Sequence, residues 1–189
     1  MESRNSNSKL RLQGRIDRQT HDVSDLQEEA DGDYDSLSRE EKLELARSVE
    51  PVEEDTVYNV TTDRLHEYFV DNLDPDNSSP EANLSVEWLG LGTDGSAGTA
   101  TSDTALNSRQ YSEVVTDVAD NGKDLLASTF LDSTEGNGSD FEELGLFTGD
   151  PTNLSNEEVF LINHATFSSV TKDNTKTVTF DVTLTFSDV

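Results

Sequence analysis

Cysteine is absent from this chain of 189 residues. Its absence excludes disulfides, thiolate metal sites and a cysteine nucleophile. Bases are scarce: 13 Lys and Arg face 40 Asp and Glu, for a formal net charge of −27. Apolar residues make up only 32%, against roughly 45–50% (counted with glycine) in ordinary domains. The core is therefore small, or part of the chain lies outside it. No apolar run approaches the roughly 18 residues of a membrane span. The N-terminal stretch "MESRNSNSKLRLQGRIDR" carries bases but no apolar h-region, so it does not read as a signal peptide.

Charge of this sign repels nucleic acid and anionic membranes, so neither is an expected partner. Two explanations of the charge compete. Disordered chains combine low hydrophobicity with high net charge. Halophilic surfaces do so too, because at molar salt the Debye length falls to about 3 Å and the acids stop repelling one another. Here the acids are scattered among β-type apolar runs, not gathered in a tail, which favours the halophile.

Three segments follow from the patterning. Residues 1–35 read as an extended polar arm. Arg4, Lys9, Arg11, Arg15 and Arg18 make its first half basic, and Asp22 to Asp35 holds seven acids and no Lys or Arg. Such an arm is ordered only if something holds it, and a neighbouring subunit is the expected holder. Residues 36–83 read as a helical segment and linker. Ser38 with Glu41 three residues later forms a capping box, and Pro51 stops that helix. A second helix, capped by Thr61 or Thr62, carries the stripe Leu65, Tyr68, Phe69 and Leu73, which packs on the β domain or on a partner. "DPDNSSPEAN" reads as a linker.

Residues 84–189 change period. Short runs rich in Val, Thr, Phe and Leu alternate with turns. In the last run Val178, Phe180, Val182, Leu184 and Phe186 face one way, and Thr177, Thr179, Asp181, Thr183 and Thr185 the other: one buried and one wet face. "ADNGKD" predicts a hairpin with a type I′ turn at Asn-Gly. The expected fold is mainly β: a jelly-roll-like antiparallel β-sandwich with an N-terminal extended arm and two short helices.

The chemistry-bearing candidates are few. Glu142 and Glu143 are adjacent, and neighbours on a strand point to opposite faces, so they do not read as a catalytic pair. Asp31, Asp33 and Asp35 start like a calcium loop, but Ser36 and Lys42 stand where it needs Gly and Glu. "DPDNSSPE" and "DNGKD" each offer oxygens to a cation without a ranking between them. His21, His66 and His164 share no metal spacing, and His164 reads as a core or hydrogen-bonding residue. No GxSxG stretch occurs. "GLGTDGSAGTA" lacks both the phosphate-loop lysine and the GxGxxG spacing, so it reads as a plain loop. Asn-x-Ser/Thr sequons at Asn59, Asn77, Asn83, Asn137 and Asn153 arise by chance in a chain this rich in Asn, Ser and Thr. No catalytic, cofactor or metal residue is expected.

The order "LGLGTDGSAGTATSDTAL", then "FEELGLF", then "LINHATFSSVTKDNTKTVTFDVTLTF" resembles structural proteins from the tail and morphogenesis modules of tailed viruses of bacteria and archaea. The resemblance spans residues 84 to 186. With the acidic bias, it implies a virion protein of a tailed virus infecting halophilic archaea. It implies no enzyme and no cofactor. It implies a homo-oligomer contacting other virion proteins, in the tail or baseplate or as a turret or decoration at a capsid vertex. In that reading "FEELGLF" is a packing strand, and Gly145 lets another backbone approach closely. Arg4, Lys9, Arg11, Arg15 and Arg18, with Leu65, Tyr68 and Phe69, are the expected contacts with neighbours. The rival expectation is a module that binds carbohydrate or cations on the host surface, with Trp88 and Tyr111 stacking on sugar.

Overall fold

The computed structural model describes residues 10–73, 84–156 and 158–188. It is mainly β and antiparallel, as expected. The strands are β1 (Leu10–Asp22), β2 (Glu53–Thr61), β3 (Trp88–Gly92), β4 (Arg109–Val114), β5 (Asp117–Asn121), β6 (Asp124–Leu131), β7 (Ser139–Phe147), β8 (Leu161–Lys172) and β9 (Lys176–Asp188). They form one sheet of nine strands in the order β4-β3-β7-β8-β2-β1-β9-β6-β5. Among the described residues three α-helices join them: α1 (Val23–Glu29), α2 (Arg39–Ser48) and α3 (Asp63–Leu73).

The sheet curls, and two segments show how. β2 pairs with β1 through Glu53–Asn59 and with β8 through Val60 and Thr61, so one strand serves both halves. The ends of the sheet order, β4 and β5, are separated in sequence only by Val115 and Thr116. The Val115 N–H donates to the Glu87 carbonyl beside β3, and the Thr116 N–H donates to Ser128 on β6. Within two residues the chain crosses from one sheet edge to the other. Strands that switch halves in this way turn the corners of folded-over sheets. The result is a curled sheet with one shared interior. One cluster takes in Ile16, Phe180, Val182 and Leu184 from one half and Leu89, Leu91, Leu144, Leu146 and Ile162 from the other.

The expected arm is different. β1 runs through Leu10–Asp22 as a central strand, paired with β9 along its whole length and with β2. What orders this polar segment is its own sheet, not a neighbour. Two of its five bases have described side chains. Arg18 is buried, with Nη1 donating to the Thr20 hydroxyl. Arg15 is exposed and pairs with Asp17 of the same strand at 2.8 Å. Arg4 and Lys9 lie outside the described residues, as does the Arg11 side chain.

α2 has the expected capping box: the Glu41 N–H donates to Ser38 Oγ, and Ser38 N–H donates to the Glu41 carboxylate. α3 is capped by Thr62, whose hydroxyl accepts the Leu65 N–H. Leu65 and Tyr68 are buried in the shared core, and Phe69 meets the Phe186 ring edge to face at 5.7 Å. Leu65, Tyr68 and Phe69 are therefore spent on the chain's own β-structure, and the Leu73 side chain lies outside the described residues. α1, β1 and β2 are additions to the two helices expected before residue 84, and the expected linker lies outside the described residues.

The predicted wet face of β9 is half covered. Thr177 and Thr179 are buried beneath a second cluster of Leu26, Tyr34, Leu43, Ala46 and Phe130, formed by α1, α2 and the outer face of β6. Ion pairs hold this layer down. Lys42 reaches Asp132 at 2.6 Å, Arg47 reaches Asp181 at 3.0 Å, and Arg39 pairs with both Glu113 and Glu135. The β5–β6 hairpin is present, but Asn121 pairs with Asp124 and only Gly122 of the two loop residues takes a positive φ, of 70°. A type I′ turn needs positive φ at both, so the turn is another type.

Candidate functional site: a buried carboxylate–histidine–carboxylate staple

The loop 93–108 lies on the outer face of β3, β7 and β8. It settles there because that face is lined with glycine. Gly90 pairs directly with Gly145, and Gly145 with His164. Leu106 sinks into the strip and clusters with Phe147 and Leu161. A Cβ on Gly145 would stand 3.0 Å from a Leu106 methyl, 2.4 Å from a Leu161 methyl and 2.9 Å from the Asn163 carbonyl oxygen. Close approach at Gly145 is thus real, and most of it comes from side chains. Gly92 clears room for a carboxylate: its Cβ would lie 2.2 Å from Glu143 Oε1.

Glu143 is wholly buried. Its Oε1 accepts the Ser108 N–H at 2.6 Å, and its Oε2 accepts the Asn107 N–H at 2.9 Å. His164 Nε2 lies 2.9 Å from the same Oε2, and His164 Nδ1 lies 2.7 Å from Asp103 Oδ2. Asp103 Oδ2 also accepts the Ala100 N–H at 2.7 Å. Glu142 takes part as well, accepting the Gly95 N–H at 3.1 Å. The loop is therefore pinned near both ends by adjacent glutamates and in its middle by an aspartate through a histidine.

Strand alternation assigns Glu142 and Glu143 to opposite faces, yet both reach one loop. The β7–β8 register shifts between Phe141 and Glu143. Between those pairings β8 carries two residues more than β7, a bulge that re-aims its neighbours. A second shift, between Leu146 and Phe147, leaves the Leu146 N–H to the Asn163 side chain at 2.8 Å.

The chemistry of the cluster follows from donor counting. A neutral imidazole donates from one nitrogen only, whereas an imidazolium donates from both. Here a carboxylate faces each ring nitrogen. A nucleophile–base pair needs one ring nitrogen free to take a proton from the nucleophile. His164 has none. The carboxylates flank the ring on opposite sides, and no group of three or more His, Asp or Glu among the described residues is arranged to hold a metal ion. The arrangement orders a loop.

The other sequence candidates are dispersed. His21 is buried at the start of the α1–α2 layer, with Nε2 3.2 Å from the Val49 carbonyl; burial holds its pKa below the usual value. His66 meets the Thr61 hydroxyl at 3.1 Å. Trp88 packs against the Leu106–Phe147–Leu161 cluster, and Tyr111 against Phe141 with its hydroxyl donating to Glu113 at 2.6 Å. They form no exposed aromatic platform. Beside the staple, α3, residues 101–104, Leu154, Asn156 and residues 159–161 enclose an open cleft of 760 Å³. Sequence reading missed the staple because its members lie far apart in the chain. The signal was there in "SDTAL", "FEELGLF" and "LINHATF", each of which supplies one member.

No family model, curated protein or solved structure matches this chain. Among the described residues no helix is long and apolar enough to cross a membrane.

Proposed function

We propose that this chain is a non-enzymatic structural component of a virion, from a tailed virus infecting halophilic archaea. It acts as a symmetric oligomer in the tail or baseplate or at a capsid vertex. The observation that carries this reading is a convergence. The three stretches that resemble tailed-virus structural proteins supply Asp103, Glu143 and His164, which meet at one buried staple. The stretches that carry the resemblance do a structural job in this chain, fixing a loop on a curled sheet.

The electrostatics support the salt-loving part of the reading. Arg39, Lys42 and Arg47 are engaged in holding α2 to the sheet, so the acidic surface has few cations of its own to balance it. Counter-ions from a concentrated medium do that instead. The contacts with neighbours differ from those read in the sequence, since Arg18, Leu65 and Tyr68 are buried within the chain. Val114 and Val118 on the strands at the two ends of the sheet order, and Tyr58 on β2, are large apolar residues left exposed for a neighbour. Closed point-group symmetry is the usual outcome for such copies.

The test is biochemical localisation. Peptides of this chain should co-purify with gradient-banded particles, and an antibody against it should label them. Its confinement to the soluble fraction of infected cells would contradict the proposal.

A further inference from the structure

We propose that the 760 Å³ cleft beside the staple binds a neutral saccharide. The size falls within the range of small-molecule sites, about 300–1,000 Å³. Its apolar lining is Leu154, which stays 39% exposed, and the half-buried Val159, backed by the buried Phe160 and Leu161. The Arg64 guanidinium sits 5.5 Å from the centre of the Phe160 ring. The rim is hydroxyl and amide, from Thr101, Ser102, Thr104 and Asn156. These groups both donate and accept. That combination matches a pyranose, which offers a C–H face to an apolar floor and hydroxyls to a rim.

Other ligand classes fit less well. Asp63, Glu67 and Asp103 also line the cleft and repel phosphates and acidic sugars. A bare cation needs convergent oxygens, but these carboxylates are engaged apart. Asp103 holds His164 and the Ala100 N–H, Glu67 lies 3.8 Å from Arg64, and Asp63 begins α3, where an acid complements the helix N-terminus. The site is also preorganised, which lowers the ordering cost of binding. The Asp63 N–H donates to the Thr101 carbonyl at 2.6 Å, and the staple fixes Asp103 from behind.

Saccharide binding goes beyond the structural role, and the two can fail separately, since a particle protein need bind no sugar. The experiment is an amide NMR titration of the full chain in about 2 M KCl. The probes are the methyl α-glycosides of glucose, mannose and galactose, each to about 100 mM, which reaches weak millimolar binding. At least one should give saturable shifts confined to residues 63–67, 101–104, Leu154, Asn156 and residues 159–161. Ser102→Ala and Asn156→Ala, both at exposed positions, should keep the fold and weaken that binding about fivefold each, the effect of one hydrogen bond of about 1 kcal/mol. No saturable shift with any of the three, shifts mapping elsewhere, or affinity untouched by both variants would overturn the proposal.

Discussion

His164 Nε2 and Glu143 Oε2 lie 2.9 Å apart, and both side chains are wholly buried. The contact joins β8 to β7 and, through Glu143, to the Asn107 and Ser108 amides of the loop that covers them. Removing Glu143 takes the acceptor from the Asn107 and Ser108 N–H groups and the partner from His164 Nε2, and leaving a buried polar group unpaired costs about 1–3 kcal/mol. Glu143→Ala should destabilise the fold by that amount, measured by denaturant unfolding in concentrated KCl. A loss below about 1 kcal/mol would mean that the staple contributes little.

The glycine strip makes a second, steric prediction. A methyl at Gly145 meets a backbone oxygen at 2.9 Å as well as two leucine methyls, and backbone cannot swing aside. Gly145→Ala should cost about 1–3 kcal/mol, the range for overpacked cores. At Gly138 nothing lies within 4 Å of a new Cβ, so Gly138→Ala reports only the strain of its φ of +83°. Unfolding free energies of both variants separate packing from backbone strain, and Gly145→Ala should be the one whose loop 93–108 amides shift by NMR.

Lys172 gives a pH dependence. It is fully buried, with Nζ donating to Asn137 Oδ1 and to the Asp173 carbonyl, each at 2.9 Å. Burial pulls its pKa from 10.5 down to about 8. The unfolded chain then binds the proton more tightly, so stability rises as pH climbs from about 8 to 10.5 and the penalty is greatest below 8. The full span is worth about 3 kcal/mol. Lys172→Met should flatten this rise, checked by unfolding at pH 7.5 and 10. An unchanged slope would place the titration elsewhere.

Some of this architecture was legible in the sequence. The alternation of Val178, Phe180, Val182 and Leu184 predicted an inner face, and Ser38 with Glu41 predicted a cap, because both signals are local. β1 was not legible. "LRLQGRIDRQTHD" has little apolar content, and it is a strand because β2 and β9 flank it from 31 or more residues away. The staple was hidden for a related reason. Alternation separates Glu142 from Glu143, and only a bulge, set by pairing with β8, brings both to one loop. Thr177 and Thr179 read as wet because nothing local announces that the α1–α2 layer covers them.

Salt should control stability. With a net charge of −27, self-repulsion opposes the compact state and is screened as the Debye length falls from about 10 Å at 0.1 M to about 3 Å at 1 M. The midpoint of thermal unfolding should rise steadily between 0.1 and about 2 M KCl. Equal folding and equal midpoints in dilute buffer would remove the halophilic reading.

Assembly is the central claim, and the mass of the full chain in about 2 M KCl, by light scattering over a wide range of concentration, tests it most directly. Deleting the first 35 residues is unsuitable as a control, because β1 is a central strand. Val118→Asp, at an exposed position on an edge strand, is the better one. The account predicts one closed oligomer of defined mass for the wild type and a smaller species for the variant. A wild type that stays monomeric at every concentration would contradict it.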